Sequence, residues 1–252
     1  MFRKFFTLFI CIIFCLSLGA CKGDLPTIDV SSESSSKIES VPESSSSAPV
    51  SSEEETLPPQ PQDDSWKMVL VNGWHPLEEG FVPDLTQIDT NYANQGYRFD
   101  SRAVDDLNAM CRAANKDGVK LWVISPWRRN STQTANFNAQ VQRVLNNNPN
   151  LTREQAEAEA ATVVARPWTS EHQLGLAIDF NSVEESFENT PQFQWLSNHA
   201  QDYGFIMRYP KSKEAITGVI YEPWHYRYVG VENAKAIKAS GLCLEEYLEE
   251  NK

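Results

Sequence analysis

Ser170-Glu171-His172-Gln173-Leu174-Gly175-Leu176-Ala177-Ile178-Asp179-Phe180 is the stretch on which the fold turns. Gly175 divides it, because glycine takes turn conformations that other residues resist. Residues 175–180 then read as a short, mostly apolar strand. Further short strands are expected downstream at 205–209, 218–221 and 225–229. Between the first two of these four strands, Thr190-Pro191 supplies an N-cap and an N1 proline for a helix through Phe193, Leu196 and Ala200, closed by Gly204. A terminal helical pair from Glu232 ends the chain. Upstream, Phe99-Asp100-Ser101 opens a helix with Asp100 or Ser101 as N-cap. Its apolar face is Ala103, Leu107, Met110, Cys111 and Ala114, and Gly118 stops it. Residues 119–124 (VKLWVI) read as a strand, and 132–145 as a helix with Phe137, Val141 and Val144 on one side. Thr152 with Gln155 forms a capping box for an Ala- and Glu-rich helix to about Ala165. Helices early and strands late predict an α+β domain, a small mostly antiparallel sheet flanked by helices.

The chain has 252 residues, with 34 acidic and 22 basic side chains and a net charge of −12. That balance excludes a general nucleic-acid binder, which needs Lys and Arg against phosphate. Five cysteines are too few and scattered for a disulfide scaffold or a Cys-rich zinc module. Much of the acidity sits in the first 65 residues. Arg3 and Lys4 precede an apolar run from Phe5 to Leu18, the length of an export-signal core and too short to span a bilayer comfortably. Leu18-Gly19-Ala20-Cys21 resembles a bacterial lipoprotein signal, which implies a signal peptide over 1–20 and lipidation of Cys21. From Ser31 to Ser52, 12 of 22 residues are Ser, interleaved with Glu and Pro, and 21–65 reads as a disordered linker. The expected folded domain is 66–252, on the outer face of the cell membrane, as a monomer.

Four histidines are present, so each can be weighed. His172 and Asp179 flank the Gly175 turn, which can present both to one ion. His225 opens another strand in Glu222-Pro223-Trp224-His225. Two imidazoles and a carboxylate form a catalytic zinc set with a position left for water, and Glu222 stands where a general base belongs. His199, beside Asn198 on a helix, and His75, before Pro76, read as structural. Cys111 reads as a small buried hydrophobe.

Ser170-x-His172-x-x-Gly175-x-Ala177-x-Asp179 and Glu222-Pro223-Trp224-His225-x-Arg227-Tyr228-Val229-Gly230 closely resemble the paired motifs of VanY-type D-alanyl-D-alanine carboxypeptidases. Val71-Asn72-x-x-His75-Pro76-Leu77, Ser125-x-Trp127-Arg128 and Gln133 fall in matching order. The resemblance implies the α+β zinc domain shared with hedgehog proteins. It implies Zn2+ on His172, Asp179 and His225, with Glu222 as catalytic base and Arg128 on the developing oxyanion. Gln133, Ser170 and Trp224 match positions lining the substrate cleft, and peptidoglycan stem peptides are the implied partner. Two departures fall near the cleft mouth: Trp127-Arg128-Arg129 replaces the usual Tyr-Arg-Ser, and Arg166-Pro167-Trp168 stands where a Pro-Gly turn is usual. Arg129 reads either as a solvated charge or as a ligand for a carboxylate. The same motifs accommodate an L,D-carboxypeptidase acting on the tetrapeptide, or a zinc-bearing wall-binding module without turnover.

Overall fold

The structure is a computed structural model, and it describes residues 64–251. The expected signal peptide, Cys21 and nearly all of the linker lie outside the described residues. Strands β1 (Leu85–Gln87) and β2 (Arg98–Asp100) form an antiparallel ribbon. Helix α1 (Val104–Lys116) follows and buries Val104, Leu107, Met110, Cys111 and Ala114. It ends where Gly118 turns left-handed and Val119 N–H reaches Ala114 O at 2.8 Å. The expected start was three residues too early. Phe99 and Asp100 belong to β2, because Asp100 N–H donates to Gly175 O and the Asp100 carboxylate is taken by Arg102. Ala103 is the N-cap residue, with no side-chain bond.

Strand β3 is Val123–Ser125, shorter than expected, and it leads through residues 126–129 into α2 (Asn130–Asn147). Helix α3 (Arg153–Ala161) carries the expected Thr152–Gln155 capping box. It stops short of Ala165, which precedes the Arg166-Pro167 turn. The two helices share a small core of Phe137, Val141, Val144, Ala156 and Ala160. The one-turn helix α4 (Glu171–Leu174) then feeds β4 (Ala177–Phe180). Helix α5 (Pro191–His199) uses Thr190 as its cap, the hydroxyl accepting from Phe193 N–H.

Strand β5 (Phe205–Tyr209), helix α6 (Glu214–Thr217) and strand β6 (Glu222–Tyr228) complete a four-stranded antiparallel sheet of order β3-β4-β6-β5. No strand forms at 218–221. There the amides of Ile220 and Tyr221 donate to Thr162 O and to the Glu214 carboxylate, so the segment closes α6 instead of pairing in the sheet. Helices α7 (Val231–Ser240) and α8 (Leu244–Glu250) are the expected terminal pair. The main core, which includes Phe99, Leu107, Leu176, Ile178, Phe180, Phe205 and Tyr226, lies between α1, α5 and one sheet face. Burial of these side chains is the dominant stabilising term, about 1.5–3 kcal/mol for each large one. Among the described residues, no helix is long and apolar enough to cross a membrane.

Candidate metal centre

The site sits on the opposite face of β4 and β6. Gly175 ends α4 at φ +87°, and a Cβ there would meet the Pro83 ring at 3.0 Å, so both conformation and space require glycine. That turn brings His172 back over β4, with His172 Nε2 3.3 Å from Asp179 Oδ2. The β4–β6 register sets Asp179 opposite His225, whose Nδ1 lies 3.1 Å from Asp179 Oδ1. The two imidazole rings meet edge to face at 4.9 Å. One donor atom from each of the three residues lies within 4.8 Å of the others, and all three residues are buried.

These residues fit a metal ion. Ligand bonds of about 2.0–2.2 Å in a tetrahedron span donors roughly 3.3 Å apart; the imidazoles approach the two Asp179 oxygens at 3.1 and 3.3 Å, and one donor atom per residue gathers within 4.8 Å. Asp179 Oδ1 is fully buried yet makes no well-aligned hydrogen bond. Each imidazole also has its second nitrogen directed at an acceptor, the arrangement that orients metal-binding histidines. His172 Nδ1 donates to Pro126 O at 2.9 Å, which leaves Nε2 as the lone-pair atom. Burial, with the Arg128 charge, pushes His172 down to about 4, so it is neutral at pH 7. His225 Nε2 faces Glu171 Oε2 at 3.5 Å. Burial opposes charge on His225, but the carboxylates of Asp179 and Glu171 outweigh it and raise the group to about 9. The Asp179 carboxyl stays well below its ordinary range, because the two histidines overcome its burial.

Glu222 opens β6, with Oε2 3.5 Å from His225 Nδ1. Burial raises its carboxyl to about 8 against the opposing pull of His225. Arg128 is fixed to the same group: Nη2 donates to Asp179 Oδ2 at 3.0 Å, Nε and Nη2 to Ser125 Oγ, and Nη1 to Gln133 Oε1. Gln133 is fully buried and also donates to Ala165 O, so both ends of its amide are spent inside the protein, beneath Arg128. Trp224 lies on the core side of β6, among the residues of the main core. Ser170 is buried at the N-cap of α4, two residues before His172. His199 is exposed and stacks on Trp195, while His75 is exposed in a turn against Asn72. Cys111 and Cys243 are both free and buried.

Several supporting residues escaped the sequence reading. Glu171 Oε1 accepts from Arg208 Nε at 2.8 Å and from Arg227 Nη1 at 2.7 Å, and Arg208 also reaches Glu245 on α8. Arg227 continues to the carbonyls of Lys67 and Val69, tying the N-terminal segment beneath the sheet. The signal was available: an arginine inside each of the apolar strands FIMRY and HYRYV must be paired once buried. Ser125 stands in the matching motif order, and the structure adds its role as acceptor for Arg128. At the cleft mouth, Trp168 has φ +69°, the left-handed conformation that favours glycine. Its carbonyl accepts from Leu77 N–H and its amide donates to Gln173 Oε1, both at 2.7 Å, which holds it there.

His172 on α4 with Asp179 and His225 on the sheet, and a buried glutamate and an arginine beside them, form a candidate metal centre. The chain matches the VanY family, described as D-alanyl-D-alanine carboxypeptidase, over residues 96–231. It belongs to that family, the VanY-type carboxypeptidases of the M15B group. A D-alanyl-D-alanine carboxypeptidase of Enterococcus faecalis is 40% identical over 197 residues, 78% of this chain and 71% of that one. Among solved structures, VanYB in complex with D-alanine-D-alanine is 41% identical with TM-score 0.65, over 74% of this chain and 99% of that one. A VanY point mutant solved in complex with Zn(II) is 41% identical with TM-score 0.63, over 73% and 99%. The LdcB LD-carboxypeptidase is 36% identical with TM-score 0.65, over 75% and 88%.

Proposed function

We propose that this protein is a zinc-dependent D,D-carboxypeptidase that removes the C-terminal D-Ala from peptidoglycan stem peptides. The observation that carries the reading is the buried group of His172, Asp179 and His225 with Glu222 at 3.5 Å from His225 and Arg128 bonded to Asp179. The three residues would hold the ion, which supplies Lewis acidity and lowers the pKa of a bound water to about 7. Glu222 takes a proton from the attacking water and returns it to the leaving amine. Its burial makes it more basic than an exposed carboxylate, which suits that task. Arg128 orients Asp179, whose ionisation the two histidines favour, and its remaining N–H is available to the oxyanion as negative charge develops. Pro126 O holds the His172 ring by a hydrogen bond, and Glu171 Oε2 faces His225 Nε2 at 3.5 Å, so Nε2 of one ring and Nδ1 of the other point inward.

The related L,D-carboxypeptidase reading draws on the LdcB structure, whose TM-score of 0.65 equals that of VanYB. Mass spectrometry of muropeptide pentapeptide and tetrapeptide, with and without chelator, separates the two. Loss of one alanine from the pentapeptide, stopped by chelator and restored by zinc, is the expected result. Loss from the tetrapeptide alone moves the protein to the L,D class, and loss from neither, with zinc still bound, contradicts turnover. We also infer that Cys21 carries lipid and tethers the domain outside the membrane, a reading supported by Leu18-Gly19-Ala20-Cys21 and by the polar stretch after it. Cys21→Ala is expected to release the protein from the membrane fraction, and an unchanged membrane share would contradict the tether.

A further inference from the structure

Beside the metal centre lies a cavity of about 330 Å³ whose lining contains three arginines, Arg98, Arg128 and Arg129, and no acidic residue. Tyr97, Trp127 and Thr132 form much of the rest of its wall. The three guanidinium groups are not equivalent. Arg128 is engaged by Ser125, Gln133 and Asp179, as described above. Arg98 and Arg129 are exposed, and among the described residues neither side chain has a hydrogen-bond or ion-pair partner. In a chain of net charge −12, two uncompensated cations converge on one concavity.

Arg129 is also a poor choice for the fold. It is the N-cap of the 18-residue helix α2 and makes no capping bond. Ser, Thr, Asp or Asn would satisfy an amide there, and a cation at this end opposes the helix dipole. A residue that breaks a local rule without a structural return is what a ligand site produces. The wall is rigidly tied to the metal centre. Trp127 N–H donates to Arg98 O, Arg128 N–H donates to His172 O, and Pro126 O accepts from His172 Nδ1. Any anion held by Arg98 and Arg129 is therefore fixed relative to the reacting bond.

We propose that this cavity is a carboxylate subsite for the peptide substrate, with Arg98 and Arg129 as its charged donors. The proposal rests on the peptidase reading and adds a specificity: acidic peptides are favoured over amidated ones. Two carboxylates qualify, one on a residue before the scissile bond or the terminal one, and the test separates them.

Binding is measured by calorimetry on the full-length, zinc-loaded Glu222→Gln protein, so that turnover plays no part. The probes are two synthetic pentapeptides ending in D-Ala-D-Ala, with the third residue's side-chain carboxylate free or amidated, and a third peptide with an amidated C-terminus. Arg98→Gln/Arg129→Gln in that background is expected to weaken binding of the all-acid peptide about 10- to 100-fold, as loss of charge-assisted hydrogen bonds implies. If the loss vanishes on the side-chain amide, the internal carboxylate is the ligand. If it vanishes only on the C-terminal amide, the terminal one is. Equal Kd for the double variant and its parent on all three peptides, with unchanged Tm, overturns the subsite. Activity of the otherwise unsubstituted chain on the pentapeptide is scored separately, so an inactive enzyme that still discriminates acid from amide refutes the peptidase reading and leaves the subsite standing.

Discussion

Behind His225, the carboxylates of Glu171 and Glu245 meet the guanidinium groups of Arg208 and Arg227, at 2.6 to 2.8 Å. In front of it, Asp179 is paired with Arg128, Glu222 lies 3.5 Å from His225, and Asp179 Oδ1 is buried without a well-aligned hydrogen bond. Both regions are largely buried, where an isolated charge is costly. In the rear set Arg208 and Arg227 outweigh the burial of Glu171 and keep it ionised, although its Oε2, like Asp179 Oδ1, is buried without a well-aligned hydrogen bond. In the front set burial raises Glu222 to about 8, while the carboxylates of Asp179 and Glu171 outweigh burial and raise His225 to about 9. The difference teaches what each region is for: two arginines fix the rear in position, while the front gathers the residues that fit a metal ion.

The largest expected effect comes from breaking the front. Glu222→Gln should lower turnover about 10²- to 10⁴-fold, the contribution of a positioned general base, while elemental analysis still finds zinc. Retained hydrolysis would remove Glu222 from the base role. Next, Glu171→Gln breaks the rear by leaving two buried guanidinium groups underpaired. Urea unfolding should show a loss of about 3–5 kcal/mol, and zinc affinity should fall about 10- to 100-fold through the loosened His225. Unchanged zinc affinity in a folded Glu171→Gln protein would confine that residue to stability. Arg128→Ala, at the seam between the sets, should cost about 10²- to 10³-fold in kcat if it meets the oxyanion; a change in KM alone would make it a binding residue. The smallest effect belongs to the interior far from either set. Burial pushes the Cys111 thiol up to about 12, so it is protonated at pH 8 and should resist alkylation in the folded protein. Labelling as fast as in urea would contradict that burial.

The same contrast explains how much could be read from the sequence. His172 and Asp179 are separated by a single glycine turn, and His225 lies within a strand, three residues after the Glu222 that opens it, so local pattern was enough to group them. The rear set is long-range: Arg208 and Glu245 are 37 residues apart, and Arg227 reaches Lys67 across 160. No periodicity encodes such pairings. Asp100 misled because its residue type suits an N-cap, whereas tertiary pairing of its amide with Gly175 O drew it into a strand. Residues 218–221 misled in a similar way, since their amides are satisfied by Thr162 and Glu214. Gln133 and Trp224 stood out by type and order, yet one lies beneath Arg128 and the other faces the core, which pattern alone does not distinguish.

The most direct test is a zinc titration of chelator-treated protein, with cleavage of the pentapeptide as the readout. Activity should be absent without metal, rise in proportion to added zinc and level off at one equivalent per chain, with no recovery in Asp179→Ala. Full activity in excess chelator, or equal recovery in Asp179→Ala, would contradict a metal centre at His172, Asp179 and His225.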